Sequence, residues 1–387
     1  MMRNKSWAVL VVAAVVLGAA GWYVASSRNQ ASEADFTPKP LFPGLTDKVN
    51  DVESLEISTP KALFRIEKGA DAEHWTMPSH AGYPVQADLV RKNVLGMAGL
   101  QTVEPRSDKP ENYDVLEVTD PEHYKPASKA AESDTGPVLI RLVDKDSKAI
   151  AAVIVGKTKT FPIEGKPGLY LVRRPDQARA WVARGILDAQ ADPVDWLIKD
   201  LIKIDRNRVS VATVRQPDGE TLTLVRAPKT EKDAGSANFT PAEMPKGMKI
   251  TSQYDVNAVA NVLSWMTFDD VSKAADHDFS KATVTELKTM DGVDAVIRTI
   301  PAEGKNDKKA WITISVSYDP SLLKPDPKNT DLLKPADAEK QVKEAAARMN
   351  GWAYLVPESE RRDLTRHLKD LLEAIKPADK KDAKKAD

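Results

Sequence analysis

The chain has 387 residues, 42% of them hydrophobic and 29% charged, enough apolar material for the cores of two or three domains and too much for a disordered polymer. Lys and Arg number 56 against 57 Asp and Glu, so a net charge of −1 removes the bulk electrostatic case for nucleic-acid binding. The absence of cysteine excludes disulfides, thiolate metal sites, cysteine nucleophiles and lipidation of an N-terminal Cys.

The N-terminus places Arg3 and Lys5 before an uncharged run, of which Trp7 to Ala25 spans 19 residues. As a helix that run is ~28 Å long, close to the hydrocarbon thickness of a bilayer and longer than a secretory h-region. Trp7, Trp22 and Tyr23 stand where interfacial aromatics would, and the basic residues precede the run, which predicts an uncleaved anchor with a cytoplasmic N-terminus. The rival reading is a signal peptide cut after Gly18-Ala19-Ala20. On either reading the remainder is exported. Ala14 and Gly18 make a small-xxx-small pair, which an Ala-rich span produces by chance.

Residues 29–48 read as a polar, Pro-punctuated stalk. Beyond it, Val52 to Ser58 and Ala62 to Lys68 form a hairpin pattern around Thr59-Pro60-Lys61, and a second pattern alternates Val209, Val211, Leu222 and Leu224 around Pro217-Asp218-Gly219. Each is followed by Met-Pro, Met77-Pro78 and Met244-Pro245, and then by a helix. Val90, Val94 and Met97 mark the apolar stripe of the first helix, and Val259, Leu263 and Met266 that of the second, with Asp88 and Asp255 as expected N-caps. "NVLGMAGLQTV" at 93 returns as "NVLSWMTFDDV" at 261, with Gly96-Met97 replaced by Ser264-Trp265 as a repacking of each core.

Further hairpins are expected at 138–156, turning at a charged tip around Asp146, and at 282–300, around Asp291-Gly292. Polar insertions, "EHYKPASKAAESDTG" in the first half and "SLLKPDPKNTDLLKPADAEK" in the second, absorb the length differences, and Trp181 meets its echo at Trp352. The matches recur in one order, which predicts a tandem duplication. The organisation is then a cytoplasmic stub and anchor at 1–28, a stalk at 29–48, a first α+β repeat at 49–205, a second at 206–376 and a charged tail at 377–387. The expected fold class is α+β, a single transmembrane helix followed by two repeats of antiparallel sheet with packed helices. One amphipathic helix over 357–375 is expected to pack by Leu364, Leu368, Leu371 and Ile375.

No catalytic constellation emerges. Gly156, Lys157 and Thr158 resemble the end of a phosphate-binding loop, but Ala151 stands where its first Gly belongs and Phe161-Pro162 follows in place of a helix, so they read as a turn after a strand. His74, His80, His123, His277 and His367 include no i, i+4 pair; His74 and His80, close in sequence, allow a metal or proton role in principle but read as surface residues on a turn. The S-x-x-K matches at Ser58 to Lys61 and Ser321 to Lys324 fall in a turn and a Pro-rich insertion. Asp269, Asp270, Asp276 and Asp278 lack the alternation and Gly of a calcium loop. Trp75, Trp181, Trp196, Trp265, Trp311 and Trp352 read as core. No cofactor, metal or catalytic residue is assigned.

"HWTMP", the helix ending in "LQTVEP", "VIVGKTKTFPIEGKPGLYLVRR" and "DWLIKDLIKI" together resemble the domain of unknown function 4340 family, over most of residues 49–376. The resemblance implies a bacterial envelope protein with one N-terminal membrane helix and an exported repeat domain, often encoded beside ABC-type export components of the gliding-motility kind. It carries no catalytic residue. The expected function is that of a non-enzymatic, membrane-anchored periplasmic accessory or scaffold that binds a protein partner. The alternative is a ligand-binding protein or enzyme using the cleft between the repeats.

Overall fold

The computed structural model describes residues 37–69, 74–126, 136–163, 166–227 and 237–375. Among them no helix is long and apolar enough to cross a membrane. The expected span from Trp7 to Ala25, the first part of the stalk, most of the first insertion and the charged tail lie outside the described residues.

Large antiparallel sheets and few helices make the fold α+β. The strands are β1 (Lys39–Pro40), β2 (Ser54–Ser58), β3 (Leu63–Lys68), β4 (Trp75–Met77), β5 (Tyr83–Pro84), β6 (Gln101–Pro105), β7 (Val138–Val143), β8 (Ala149–Thr160), β9 (Gly168–Arg173) and β10 (Ala180–Gly185). They continue with β11 (Val209–Arg215), β12 (Thr221–Arg226), β13 (Phe239–Pro241), β14 (Met248–Ile250), β15 (Asp270–Lys273), β16 (Thr283–Thr289), β17 (Val293–Pro301), β18 (Ala310–Tyr318), β19 (Trp352–Val356) and β20 (Leu372–Ala374). The helices are α1 (Ala87–Gly99), α2 (Tyr113–Leu116), α3 (Gln253–Asn261), α4 (Pro335–Met349), α5 (Glu358–Leu364) and α6 (Leu368–Leu371).

Two compact units result. One holds the described residues up to Trp75 with Gln86–Trp196; the other holds Thr76–Val85 with the described residues from Leu197 on. In the first, the strands run β1-β6-β10-β9-β8-β7-β2-β3, and in the second β13-β12-β11-β16-β17-β18-β19-β15. Read from β6 and from β15, the first seven strands take the same order in both units.

The turns follow local chemistry. Thr59 Oγ1 accepts the N–H of Lys61 and of Ala62 across the β2–β3 turn, and Gly219 supplies the positive φ of the β11–β12 turn. Val90, Val94 and Met97 are buried from α1, and Val259, Leu263 and Met266 from α3 and the turns after it. In the first unit a second layer, with Tyr113 and Val118, packs on Leu139, Ile154, Leu171 and Val182 from the sheet.

The caps differ from expectation. α1 starts after Gln86 with no side-chain cap, and Asp88 lies inside its first turn, paired with Arg91. α3 is capped by Ser252, whose Oγ accepts the N–H of Asp255 at 3.3 Å. The hydroxyl three residues upstream is shorter and meets the orphan amide directly, which leaves the Asp255 carboxylate for Arg366 at 2.6 Å.

The expected helix over 357–375 is broken. Thr285 Oγ1 donates to the Leu364 carbonyl, and Gln216 Nε2 to those of Thr365 and Arg366, so sheet side chains bond the carbonyls that a continuing helix needs. His367 and Asp370 then form a capping box for α6, and β20 follows, paired with β14. Leu364 and Leu371 are buried, while Leu368 and Ile375 are only half-buried. An unexpected element, α4, begins in the second-half insertion and runs past it, and packs on β18 through a stripe of Ala338, Val342, Ala345 and Met349.

The assignment of Thr76–Val85 to the second unit has a clear cause. Tyr83 meets Trp352 edge-on at 4.8 Å between ring centres, with Phe268 and Tyr354 at 6.1 and 6.2 Å. Burial pushes both tyrosine hydroxyls above their usual range, so they stay protonated in this cluster.

Candidate functional site

β8 is the longest strand, and its second half leaves regular pairing. Ile154 and Val155 face Arg173 and Val172 of β9 in register, then the register shifts before Thr158 meets Tyr170 and again before Thr160 meets Leu169. Bulges of this kind bend a strand and re-aim its side chains, and they collect beside functional sites. Gly156 lies at the first shift because a Cβ there would stand 2.4 Å from the Leu116 carbonyl oxygen and 2.6 Å from that of Glu117.

A cleft of about 890 Å³ opens along this stretch, lined by β8 and by residues 187–190. Two ion pairs edge it: Lys92 Nζ to Asp188 Oδ2 at 2.7 Å and Lys157 Nζ to Glu117 Oε1 at 3.6 Å. Glu117 is buried and held at a positive φ of 58°. Tyr170 Oη secures one wall, donating to the Leu187 carbonyl and accepting the Leu187 N–H. Val155, Phe161, Pro162 and Leu187 add apolar surface, and Phe161 is 72% exposed. The site combines compensated charge with greasy walls, suited to binding and without a nucleophile beside a base.

Gly156, Lys157 and Thr158 therefore lie inside a strand, where the sequence suggests a turn, and they line this cleft. No helix opens after them, so there is no amide cradle for a phosphate.

The histidines go to separate partners. His80 faces Asp270 at 3.4 Å, His367 faces Glu220 at 2.7 Å, and His123 lies beside Glu122 at 3.6 Å. His277 Nε2 is 2.7 Å from Ser272 Oγ, with its ring tilted on Trp311 at 4.4 Å. Burial lowers the His277 pKa against the opposing pull of Asp276. His80 and His277 are thus half-buried and packed, whereas the sequence reading puts His80 on a surface turn. His74 is exposed.

Asp269 pairs with Lys309 at 2.9 Å, and Asp278 accepts the Ser280 N–H at 2.9 Å, so the acidic run disperses. Among the described residues no three metal-ligating side chains converge. Ser58 and Lys61 flank the β2–β3 turn, and Ser321 sits in a 3-10 turn.

Trp196 is fully buried, with its Nε1–H on the Gln190 carbonyl. Trp75, Trp181, Trp311 and Trp352 are half-buried. Trp265 departs from the expected core role and is 77% exposed. α3 ends at Asn261, five residues earlier than the pattern suggests, and in the following turn Met266 is buried and Trp265 exposed. Tyr254, 76% exposed, joins it around a groove of about 220 Å³ that also includes Arg206 and Arg362. The Arg206 Nε–H there is buried without a hydrogen-bond partner.

Sequence reasoning missed this groove and the cleft. A signal for the cleft existed in the run Phe161-Pro162-Ile163, three apolar residues past the end of a strand; nothing local distinguishes Trp265 from the buried tryptophans.

No curated protein matches the chain. The family model described as "Domain of unknown function (DUF4340)" matches residues 75–288, from Trp75 of "HWTMP" into β16, and so includes every residue that lines the cleft. That span exceeds half of the 387 residues, and the chain belongs to the DUF4340 family.

Proposed function

We propose that this is a membrane-anchored periplasmic accessory protein, without catalytic activity of its own, whose exported units bind a protein partner in an ABC-type transport or envelope-assembly complex. The observation that carries the reading is the pairing of Tyr254 and Trp265 on the surface of the second unit beside Arg206 and Arg362. Trp, Tyr and Arg are the residue types that dominate binding hot spots, and solvating two large aromatics on one groove is costly unless something covers them. The run from Trp7 to Ala25 supports the anchor, and the positive charge before it supports a cytoplasmic N-terminus. The link to ABC-type components rests on the family resemblance alone.

The two units derive, in this reading, from one duplicated α+β module. The shared order of seven strands and the 171-residue offset from Trp181 to Trp352 support it.

Purification of the native full-length protein from detergent-solubilised membranes tests the function. A stoichiometric partner, lost on Trp265→Ala, is the expected result; a chain that arrives alone in every detergent sinks the idea. A second reading, a periplasmic ligand-binding protein, is favoured by the cleft beside β8 and predicts a copurifying small molecule.

A further inference from the structure

β7 accompanies β8 only as far as the pair Val138 and Val155, because β7 begins at Val138. Beyond it, β8 runs on to Thr160 with β9 on one side and no described strand on the other. No loop backbone among the described residues bonds to Lys157–Thr160. Among the described residues, a backbone edge of about four residues, roughly 13 Å long, is thus unpaired within the cleft. Unpaired edges are templates for strand addition.

We infer that β8 residues Gly156 to Phe161 form a strand-addition site for an extended, acidic segment of a partner protein. This rests on the accessory reading and specifies the partner's chemistry at the first unit. From Gly156 to Ile163 the chain carries Lys157 and Lys159 and no carboxylate. Lys159 is exposed, and Lys157, also exposed, shares its charge with Glu117 at 3.6 Å, so an incoming strand with Asp or Glu at alternating positions gains a cross-strand ion pair at Lys159 and competes with Glu117 for Lys157. A second copy of this chain is a poor occupant, because pairing β8 with itself sets lysine against lysine. Phe161 and Ile163, both exposed, offer apolar contacts where such a strand leaves the edge. The register shifts fit the same role, since bulges bend a strand and interrupt its regular pairing.

Full-length protein in lipid nanodiscs, panned against a phage-displayed library of random dodecapeptides, tests the site. Enriched peptides are expected to carry Asp or Glu alternating with β-branched residues and to slow amide exchange at residues 157–161. Their affinity is expected to drop about tenfold in Lys157→Glu/Lys159→Glu, to weaken with salt, and to be lost in Lys159→Pro or Thr158→Pro, whichever removes the outward amide. If a charge-reversed variant fails to fold, Lys157→Ala/Lys159→Ala and the salt titration of the wild type carry the same comparison. Failure to enrich any peptide, enrichment of basic or amphipathic helical peptides, protection confined to other segments, or protection of these amides by self-dimerisation overturns the site. A membrane partner that still copurifies with Lys157→Glu/Lys159→Glu overturns the site and leaves the accessory reading standing. Peptide binding with no copurifying partner supports the site and removes that reading.

Discussion

Arg208 Nε donates to Asp291 Oδ2 at 2.7 Å, and the two side chains retain only 5% and 2% of their exposure. The sequence places Asp291 at the charged tip of a hairpin, yet it is buried in the second unit. Thr289 Oγ1 donates to its other oxygen at 2.6 Å, and the Leu333 N–H joins at 2.9 Å, so the carboxylate is fully bonded. Arg208 also reaches Gln341 of α4 at 3.0 Å. The pair therefore ties the β16–β17 turn to α4, an element that the pattern of residues did not reveal.

Breaking that pair from one side strands a buried charge. Asp291→Ala is expected to destabilise the second unit by about 3–5 kcal/mol, and Arg208→Met/Asp291→Leu by less, because apolar replacement removes the desolvation cost along with the attraction. Urea unfolding of the three proteins decides it. A single variant within about 0.5 kcal/mol of wild type contradicts the buried pair.

Tyr83 precedes α1 in the chain but packs with Phe268, Trp352 and Tyr354. Tyr83→Ala is expected to lower the stability of the second unit by about 3–5 kcal/mol while sparing the first. Hydrogen exchange resolved by segment reads this directly: protection falls in β15 and β19 and holds in β7 and β8. Loss confined to the first unit contradicts the assignment.

Gly156→Ala places a methyl group 2.4 Å from the Leu116 carbonyl oxygen. Two backbone segments have to separate, at an expected cost of about 1–3 kcal/mol. Gly219→Ala provides the contrast, since no atom lies near but φ is +94°; there the backbone strain alone acts, about 1 kcal/mol. Thermal unfolding of both variants tests the ranking.

His277 has its pKa lowered by burial against Trp311. Its folded pKa lies below its unfolded one, so the unfolded chain binds the proton more readily. This residue's contribution is complete above the unfolded value, near 6.5, and is lost as the pH falls toward the folded value. Stability of the wild type minus that of His277→Gln, followed from pH 7.5 downward, is expected to decline with acidification. A difference that rises instead contradicts the assigned direction.

The hairpins were legible in the sequence because each turn is local chemistry: Thr59, Gly219 and Gly292 sit between alternating strands whose apolar residues face one side. The stripes of α1 and α3 were legible for the same reason, as were the motifs that identify the family. The site was only partly visible. Gly156, Lys157 and Thr158 stood out, but as a failed phosphate loop, because composition does not reveal that β7 begins too late to pair with the far half of β8.

By itself the sequence determined whatever depends on neighbours a few residues away: strand alternation, turn residues, helical faces and the order in which the elements recur. Only the tertiary structure decided which long-range partner each residue meets. Asp291 is buried because Arg208 lies across from it, the last helix breaks because Thr285 and Gln216 bond its carbonyls, and Thr76–Val85 joins the second unit because three aromatic rings there surround Tyr83. Trp265 looks like a core residue in one dimension and is solvent-exposed in three, since burial belongs to the packed surface and periodicity only to the chain.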